Sequence, residues 1–284
     1  MNKRWHRPMG LVLVFAGVAA GLAGLAVPAA RAQGQGQPES QKQTRAELNV
    51  ITSGGFAAAF QEMQPEFEQA TGINLTVTRG ASQGSGPDTI GAQLRRGVAA
   101  DVVIMSREGL DDLIAEKRIV AGSDVNLGQT PLGMAVRAGA SKPDIRTVEA
   151  FKQTMLRAKS VTFPGSTTGI YMVKKLFPQL GIASEMAPKT TSTGVAAVAK
   201  GDAEIAVQPV SELLHVPGTE FVGTLPKELQ YVSVFSAAMV AGSKEANAVP
   251  AARALESRKL LDFLTSEKAR AAIRASGMEP VKAR

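Results

Sequence analysis

Three short turns rich in serine, threonine and glycine contain the residue types in this sequence that could do chemistry. The first is Thr52-Ser53-Gly54-Gly55, the second is RGASQGSG (79–86), and the third is Ser166-Thr167-Thr168-Gly169. Hydroxyl groups donate hydrogen bonds, and glycine lets backbone N–H groups approach a ligand closely. Turns of this composition predict an anion-binding site that uses neutral donors.

All three turns have the same position in the predicted secondary structure, between the end of a strand and the start of a helix. The strands before them are ELNVIT (47–52), INLTVT (73–78) and SVTFPG (160–165). Ligands of open α/β sheets bind at the carboxyl ends of strands, and the free N–H groups of a helix start attract anions. Serine and threonine are also ordinary helix N-caps, which is the alternative interpretation of each turn. Three turns in equivalent positions favour a binding site.

More specific chemistries do not fit these residues. The sequence has no GxxxxGK[ST] motif, which excludes a P-loop. Ser166 lies in PGSTT, which is not the GxSxG motif of a nucleophilic serine, and no suitable base is evident near it. His215 is the only histidine apart from His6, and the chain has no cysteine, which excludes a His-based triad and most zinc sites. We expect no metal and no cofactor.

The N-terminus predicts export. A basic segment, MNKRWHR, is followed by an apolar stretch and by Ala30-Arg31-Ala32, a small-x-small cleavage site. Residues 1–32 are therefore predicted to be a signal peptide that is cleaved near Ala32, with the periplasm as the destination. A transmembrane anchor is the alternative, because the apolar stretch is nearly long enough to span a bilayer. The Gln-rich residues 33–46 predict a disordered leader.

Removal of the signal peptide changes the charge balance. The chain has 32 Lys and Arg against 25 Asp and Glu, and four of the basic residues but no acidic one lie in residues 1–32. The mature chain would carry 28 basic and 25 acidic side chains. Nucleic-acid binding requires a concentrated basic stripe, and the sequence offers only short pairs such as Arg95-Arg96. We expect no nucleic-acid partner.

From Glu47 onward, short strand-like runs alternate with helical patterns, which indicates an α/β fold. Two longer runs, TPLGMAVRAG (130–139) and YVSVFSAAMVAG (231–242), interrupt this alternation. We interpret both as strands that cross between two lobes, each a mixed β-sheet flanked by helices, with a ligand cleft between the lobes. The predicted first lobe is discontinuous and the second is continuous: residues 47–128 plus 236–284, and residues 129–235.

Four segments resemble a known family: GAQLRRGVAADVVIMS (91–106), PGSTTGIYMVKKLFPQLGI (164–182), VAKGDAEIAVQPVSEL (198–213) and LLDFLTSEKARAAIRASG (260–277). On these segments the chain is similar to the molybdate-binding (ModA-like) type II periplasmic solute-binding proteins, over essentially the whole mature chain. The resemblance implies the two-lobed fold, hinge closure around a small anion, and a monomer that delivers its ligand to an inner-membrane ABC permease.

The resemblance also implies which residues hold the anion. Ser53 and Ser82 would donate through their hydroxyl groups, Thr168 through its backbone N–H, and the region of Thr193 and Gly194 through another backbone N–H. With the neighbouring turn residues and two further positions, the predicted ligand-binding set is Ser53, Gly54, Arg79, Ser82, Thr167, Thr168, Gly169, Thr193, Gly194 and Gln208. Thr168 and Gly169 are expected to present their N–H groups across the cleft.

Two departures from the family pattern bear on the ligand. Gln208 stands where molybdate-binding members carry a tyrosine, and Arg79 begins a longer turn around Ser82. A guanidinium suits a carboxylate through a bidentate pair, so an organic carboxylate is preferred over a molybdate-type oxyanion, although Arg79 could equally be a solvated surface residue.

The predicted function is capture of this small anion for an ABC-type importer. The alternative is an isomerase similar to aconitate isomerase, which moves a proton within a tricarboxylate and requires an acid/base group. Glu212, His215 and Lys174 are the candidates for that group, none of them with a motif behind it, and the catalytic residue is unassigned. Glu212 is interpreted as a helix-start residue and His215 as a loop residue.

Overall fold

The structure, a computed structural model, describes residues 46–214, 216–242 and 251–281. The predicted signal peptide, nearly all of the predicted leader, and His215 lie outside the described residues. Within the described part of the chain, no helix is long and apolar enough to cross a membrane.

In the part of the chain that the structure describes, ten strands form one mixed sheet. They are β1 (Glu47–Thr52), β2 (Asn74–Arg79), β3 (Val102–Ser106), β4 (Val125–Arg137), β5 (Val161–Thr162), β6 (Thr190–Thr191), β7 (Ile205–Pro209), β8 (Thr219–Thr224), β9 (Val232–Met239) and β10 (Glu279–Pro280). Along the sheet the order is β2-β1-β3-β9-β4-β7-β5-β6, and β8 and β10 pair with β4 outside this path. β1 runs parallel to β2 and β3, and β5 runs parallel to β6 and β7.

Strand β4 divides the sheet into two parts because it changes partners along its length. Residues 125–131 pair with β9, whereas residues 132–137 pair with β7 and β8. We call the part with β1, β2, β3 and β9 the first lobe, and the part with β5, β6, β7 and β8 the second lobe. β4 pairs with strands of both parts along its length, whereas β9 pairs with β3 and the first half of β4. The residue limits predicted for the lobes stay a prediction.

Each part of the sheet has its own buried apolar clusters. Phe56, Phe60 and Phe67 pack beneath the first lobe, and Phe151, Met155 and Phe177 pack beneath the second. A smaller cluster covers the opposite face in each case. Because apolar side chains lie on both faces of the sheet, the strands contain continuous runs of buried residues and do not alternate between buried and exposed residues, as is usual for parallel strands.

Among the described residues, eleven α-helices connect the strands. They are α1 (Gly54–Thr71), α2 (Ile90–Arg95), α3 (Arg107–Ala115), α4 (Val148–Arg157), α5 (Thr167–Tyr171), α6 (Phe177–Leu180), α7 (Ala183–Met186), α8 (Val195–Lys200), α9 (Val210–Leu213), α10 (Ala251–Leu264) and α11 (Glu267–Ala275). A π-helical turn, Met172–Leu176, joins α5 to α6, where the sequence predicts one continuous helix. The helices that begin after β1 and β3 in the first lobe and after β5 in the second lobe start where the two lobes face each other, and this region carries the candidate site.

Candidate functional site

A cavity of about 650 Å³ lies at the carboxyl ends of β1, β3, β5 and β7. Eight of the ten predicted ligand-binding residues line it: Ser53, Gly54, Ser82, Thr167, Thr168, Thr193, Gly194 and Gln208. Asp88 and Glu212 are the charged residues among its described lining residues, and no basic side chain is in that set. The structure therefore brings together turns that are far apart in the sequence around a space bounded by neutral donors.

The start of α1 presents one group of donors to the cavity. Ser53 precedes the helix, and its Oγ is buried without a hydrogen-bond partner in the described structure. Its backbone N–H donates to the carbonyl of Ile104 at 2.8 Å, which fixes the residue at the strand edge. The N–H groups of Gly54 and Gly55 have no acceptor among the described residues. Helix α1 has 18 residues, so its dipole and free N–H groups favour an anion here.

Gly55 is required by packing at this helix start. A Cβ on Gly55 would lie 2.0 Å from the ring of Phe235, which projects from β9 into the cavity wall. Only glycine therefore lets the helix start approach β9 this closely.

Ser82 belongs to a chain of hydroxyl groups that joins the two lobes. Its Oγ accepts a hydrogen bond from the backbone N–H of Ser106 at 2.9 Å. The Oγ of Ser106 lies 3.0 Å from Oγ1 of Thr167, which donates to Oε1 of Gln83 at 3.1 Å. Because Thr167 has one hydroxyl proton and gives it to Gln83, Ser106 is the donor to Thr167. We refer to Gln83, Ser106 and Thr167 as the bridging residues.

The start of α5 presents a second group of donors, but its composition differs from the prediction. The N–H groups of Thr167 and Thr168 have no acceptor in the described part of the chain. The N–H of Gly169 donates to the carbonyl of Pro164 at 3.0 Å, and Gly169 does not line the cavity. The expectation that Gly169 presents its N–H to the cleft is therefore wrong, because this bond closes the turn that leads into the helix.

The N–H of Gly194 is also occupied. It donates to Oγ1 of Thr162 at 2.9 Å, so Gly194 lines the cavity without offering the predicted backbone donor. Thr193 lies beside it, with its Oγ1 3.1 Å from Oγ1 of Thr162 and 3.3 Å from Oγ1 of Thr191. The prediction was wrong for the N–H of Gly194, because this group already donates to a threonine hydroxyl from β5.

Gln208 lies one residue before the end of β7 and donates a hydrogen bond to a carboxylate. Its side chain is buried, its Oε1 accepts from the N–H of Val195 at 2.9 Å, and its Nε2 donates to Oε2 of Glu212 at 3.0 Å. Both ends of the amide are thus occupied by protein groups. Gln208 lines the cavity, as predicted, but its polar atoms act on Glu212 and on the start of α8.

Glu212, in the first turn of α9, places its carboxyl group beside the start of α1. Its Oε1 lies 3.3 Å from the position that a Cβ on Gly54 would occupy, and no hydrogen bond from the described residues reaches this oxygen. Burial raises the pKa of Glu212 from 4.5 to about 7, and the positive charge of Arg79 opposes this rise. The side chain is only partly buried, because one oxygen faces the cavity. A carboxyl group with this pKa can both give and take a proton near neutral pH.

Arg79 and Lys174 do not line the cavity. Arg79 is exposed at the end of β2, from where its charge acts on Glu212, so it is no bidentate clamp inside the cavity. Lys174 is exposed on the π-helical turn and borders a neighbouring cavity.

Sequence reasoning missed three serines at the site. Ser106 ends β3 in the same strand-to-helix position as the predicted turns, so its topology was a usable signal. Ser211 donates from its Oγ to the carbonyl of Gly55 at 2.8 Å, which makes a second bond between the lobes. Ser233 lines the cavity from β9, and its sequence context contains no signal of that role. No group of His, Cys, Asp or Glu able to hold a metal ion occurs among the residues that the structure describes.

Comparison with known proteins places this architecture in a family. The model of the bacterial extracellular solute-binding protein family matches residues 48–279. The chain belongs to this family. Aconitate isomerase from a Pseudomonas species is 38% identical over 240 residues, which cover 83% of this chain and 88% of that protein.

Solved structures confirm the fold that the resemblance implies. The Azotobacter vinelandii periplasmic molybdate-binding protein matches with a TM-score of 0.58 and 16% identity, covering 81% of this chain and 98% of that one. A periplasmic thiamin-binding protein matches with a TM-score of 0.62 and 18% identity, covering 84% and 85%. The chain therefore has the two-lobed type II periplasmic binding protein fold of this family. At these identities the likeness is one of fold alone.

Proposed function

We propose that the protein captures a small organic acid with more than one carboxylate in the cavity, in the periplasm, and passes it to an inner-membrane ABC permease. The observation that carries this proposal is the separation of two groups of donors. Ser53 and the N–H groups of Gly54 and Gly55 lie at the start of α1, whereas the N–H groups of Thr167 and Thr168 lie at the start of α5. Two helix starts on opposite lobes suit two anionic groups on one ligand.

The size and chemistry of the cavity support an organic ligand. A volume of about 650 Å³ falls within the range of sites for small organic molecules. Gln208 stands where the molybdate-binding members carry a tyrosine, and its amide is directed to Glu212. An ionisable carboxyl in the wall disfavours a second full negative charge close to it, unless it is protonated and donates a hydrogen bond to the ligand.

The proposal is tested by a thermal-shift series on protein purified from the periplasm, against molybdate, tungstate, sulfate, phosphate, citrate and both aconitates. A ligand at a hundred times its Kd adds about 2.7 kcal/mol to the free energy of unfolding, so a tight ligand stands out. We expect stabilisation by a polycarboxylate, followed by calorimetric titration of the best one. Stabilisation by molybdate or tungstate alone would refute the preference for a carboxylate.

Cleavage of the signal peptide and the oligomeric state are tested by separate measurements. N-terminal sequencing of the purified protein is expected to begin near Gln33, and an intact residue 1 would contradict cleavage of the signal peptide. We expect a monomer by size-exclusion chromatography with light scattering, with and without the ligand.

A second candidate function is isomerisation of a tricarboxylate. Two observations favour it: a relative that is 38% identical over most of both chains is an aconitate isomerase, and Glu212 supplies an acid/base group in the cavity. The test is to incubate the protein with one isomer of aconitate and to follow the appearance of the other by proton NMR. Binding without conversion leaves capture as the function, whereas conversion at a rate proportional to protein concentration establishes the enzyme.

A further inference from the structure

We infer that Glu212 is the residue that removes a proton from one carbon of a bound polycarboxylate and returns it to another, with Gln208 as the positioning residue that holds it. The inference rests on the second candidate function, isomerisation of a tricarboxylate, and assigns the acid/base residue which that reaction requires. It stands on the placement of three features around one point of the cavity: a carboxyl oxygen without a partner, an amide that fixes the other oxygen, and a helix start.

The first feature is the orientation of the carboxyl group. Gln208 donates to Oε2 of Glu212 at 3.0 Å, while no described residue bonds Oε1, which faces the start of α1. Gln208 cannot turn away easily, because its own Oε1 accepts from the N–H of Val195 at 2.9 Å. One oxygen of Glu212 is therefore anchored and the other is available to a ligand.

The second feature is the adjacency of this oxygen to the donors of α1. Removal of a proton from a carbon next to a carboxylate leaves negative charge that spreads onto that carboxylate. The N–H groups of Gly54 and Gly55 and the buried hydroxyl of Ser53 lie where that charge would develop. Preorganised donors at such a position are a principal source of rate enhancement. The acid/base group and these donors are thus on the same side of the cavity.

The proposed step balances without another reactant. The C–H bond breaks, its proton bonds to Oε1 of Glu212, and its electron pair spreads over the adjacent C=C bond and carboxylate. The proton then leaves Oε1 and bonds to the carbon at the other end of that three-carbon unit, so the double bond moves by one position. Nothing is oxidised or reduced, and Glu212 returns to its ionised form.

The surroundings of Glu212 suit a group that must change its charge. Helix α9 packs against α1 and against β4, β7 and β8. Within the described residues, Arg79 is the charged group whose field acts on Glu212, and Asp88 is the other carboxylate that lines the cavity. Burial raises the pKa of Glu212 to about 7. Both protonation states are therefore populated near neutral pH, which favours transfer in both directions.

The test compares Glu212→Gln, Glu212→Asp, Asp88→Asn and the wild type in two assays, binding of trans-aconitate by calorimetry and its conversion by NMR. Loss of a general acid/base typically lowers a rate by about 10²–10⁴. We expect Glu212→Gln to bind within about tenfold of the wild type and to convert at least a hundredfold more slowly. Glu212→Asp should recover part of the rate. Glu185→Gln, on an exposed residue distant from the cavity lining, is the matched control and should convert at the wild-type rate.

The pH profile separates an acid/base role from a structural one. Conversion should rise with pH through a value near 7, because the ionised carboxylate takes the proton. Gln208→Glu keeps an acceptor for the N–H of Val195 but places a like charge beside Glu212, so the rising limb should move to higher pH. A purely structural role for Gln208 would change the rate at every pH by the same factor.

Each result decides between the inference and the function on which it rests. If the wild type converts aconitate and Glu212→Gln converts it within tenfold of that rate, the assignment to Glu212 is overturned while the isomerase stands. Loss of conversion in Asp88→Asn alone would move the role to Asp88. If the wild type binds aconitate without converting it, the inference fails and capture stands. If aconitate does not bind, both the inference and the isomerase function on which it rests fail. Circular dichroism of each variant confirms that it is folded.

Discussion

Replacing Glu212 by glutamine should stabilise the protein at pH 8 and change its stability little at pH 4.5. The pKa of Glu212 is about 7 in the folded protein against an ordinary value of 4.5, so the folded state holds this proton more tightly than the unfolded state. The cost of ionising a buried carboxyl is therefore absent below pH 4.5, grows as the pH rises to about 7, and is constant above it. Glutamine fits the same space without this cost, and its Oε1 can accept the bond from Gln208.

The magnitude follows from the difference between the two pKa values. At about 1.4 kcal/mol per pH unit, that difference corresponds to about 3 kcal/mol at pH 8. One oxygen faces the cavity and is hydrated, so we expect roughly 1–3 kcal/mol. For a domain of this size, each kcal/mol raises Tm by roughly 2–4 °C.

The assay is thermal and urea unfolding of the wild type, Glu212→Gln and Glu185→Gln between pH 4.5 and 8. Other titrating groups are common to all three proteins, so they cancel in the differences. The difference in the free energy of unfolding between Glu212→Gln and the wild type should grow with pH. Glu185→Gln should have the stability of the wild type at every pH. A difference that is the same at pH 4.5 and pH 8 would refute the reasoning, because it would mean that the charge of Glu212 is not the cause.

Three further substitutions have expected outcomes. Ser53→Ala removes a buried hydroxyl that has no partner in the described structure. The Tm should therefore stay the same or rise, while the affinity for the carboxylate ligand falls about tenfold. A lower Tm would show that the hydroxyl is structural. Gly55→Ala forces a Cβ to within 2.0 Å of the ring of Phe235 and should lower the free energy of unfolding by about 1–3 kcal/mol in urea denaturation, and wild-type stability would contradict the packing described. Tyr231→Phe removes the hydroxyl that donates to Glu108, whose other oxygen is buried without a partner, and should cost about 1–3 kcal/mol, measured the same way; a neutral effect would mean that water reaches Glu108.

The sequence was sufficient to predict the fold, and most of the predicted ligand-binding residues line one cavity. Strand-to-helix turns with hydroxyl residues and glycine occur where open α/β sheets bind ligands, and eight of the ten predicted residues line one cavity. Whether these residues bind a ligand is a prediction that the binding experiments address.

The sequence could not show which donors remain free. The N–H groups of Gly169 and Gly194 are taken by Pro164 and Thr162, and those contacts depend on turn geometry that residue types do not determine. Strand β8 (Thr219–Thr224) was not predicted, because TEFVGT is short and flanked by loops. The acid/base character of Glu212 was likewise invisible, since its pKa depends on burial by segments far apart in the chain.

The bonds made by the bridging residues and by Ser211 have a consequence for how binding strength and selectivity are divided. These bonds join one lobe to the other through protein atoms only, so they favour this arrangement of the lobes by the same amount for every ligand. Weakening Ser106–Thr167 or Ser211–Gly55 should therefore lower all affinities by one common factor, as a reduced population of the binding-competent state does. The order of preference among ligands would stay unchanged. Substitutions that change these bonds between the lobes can thus change affinity without changing the hydrogen-bond donors that determine selectivity.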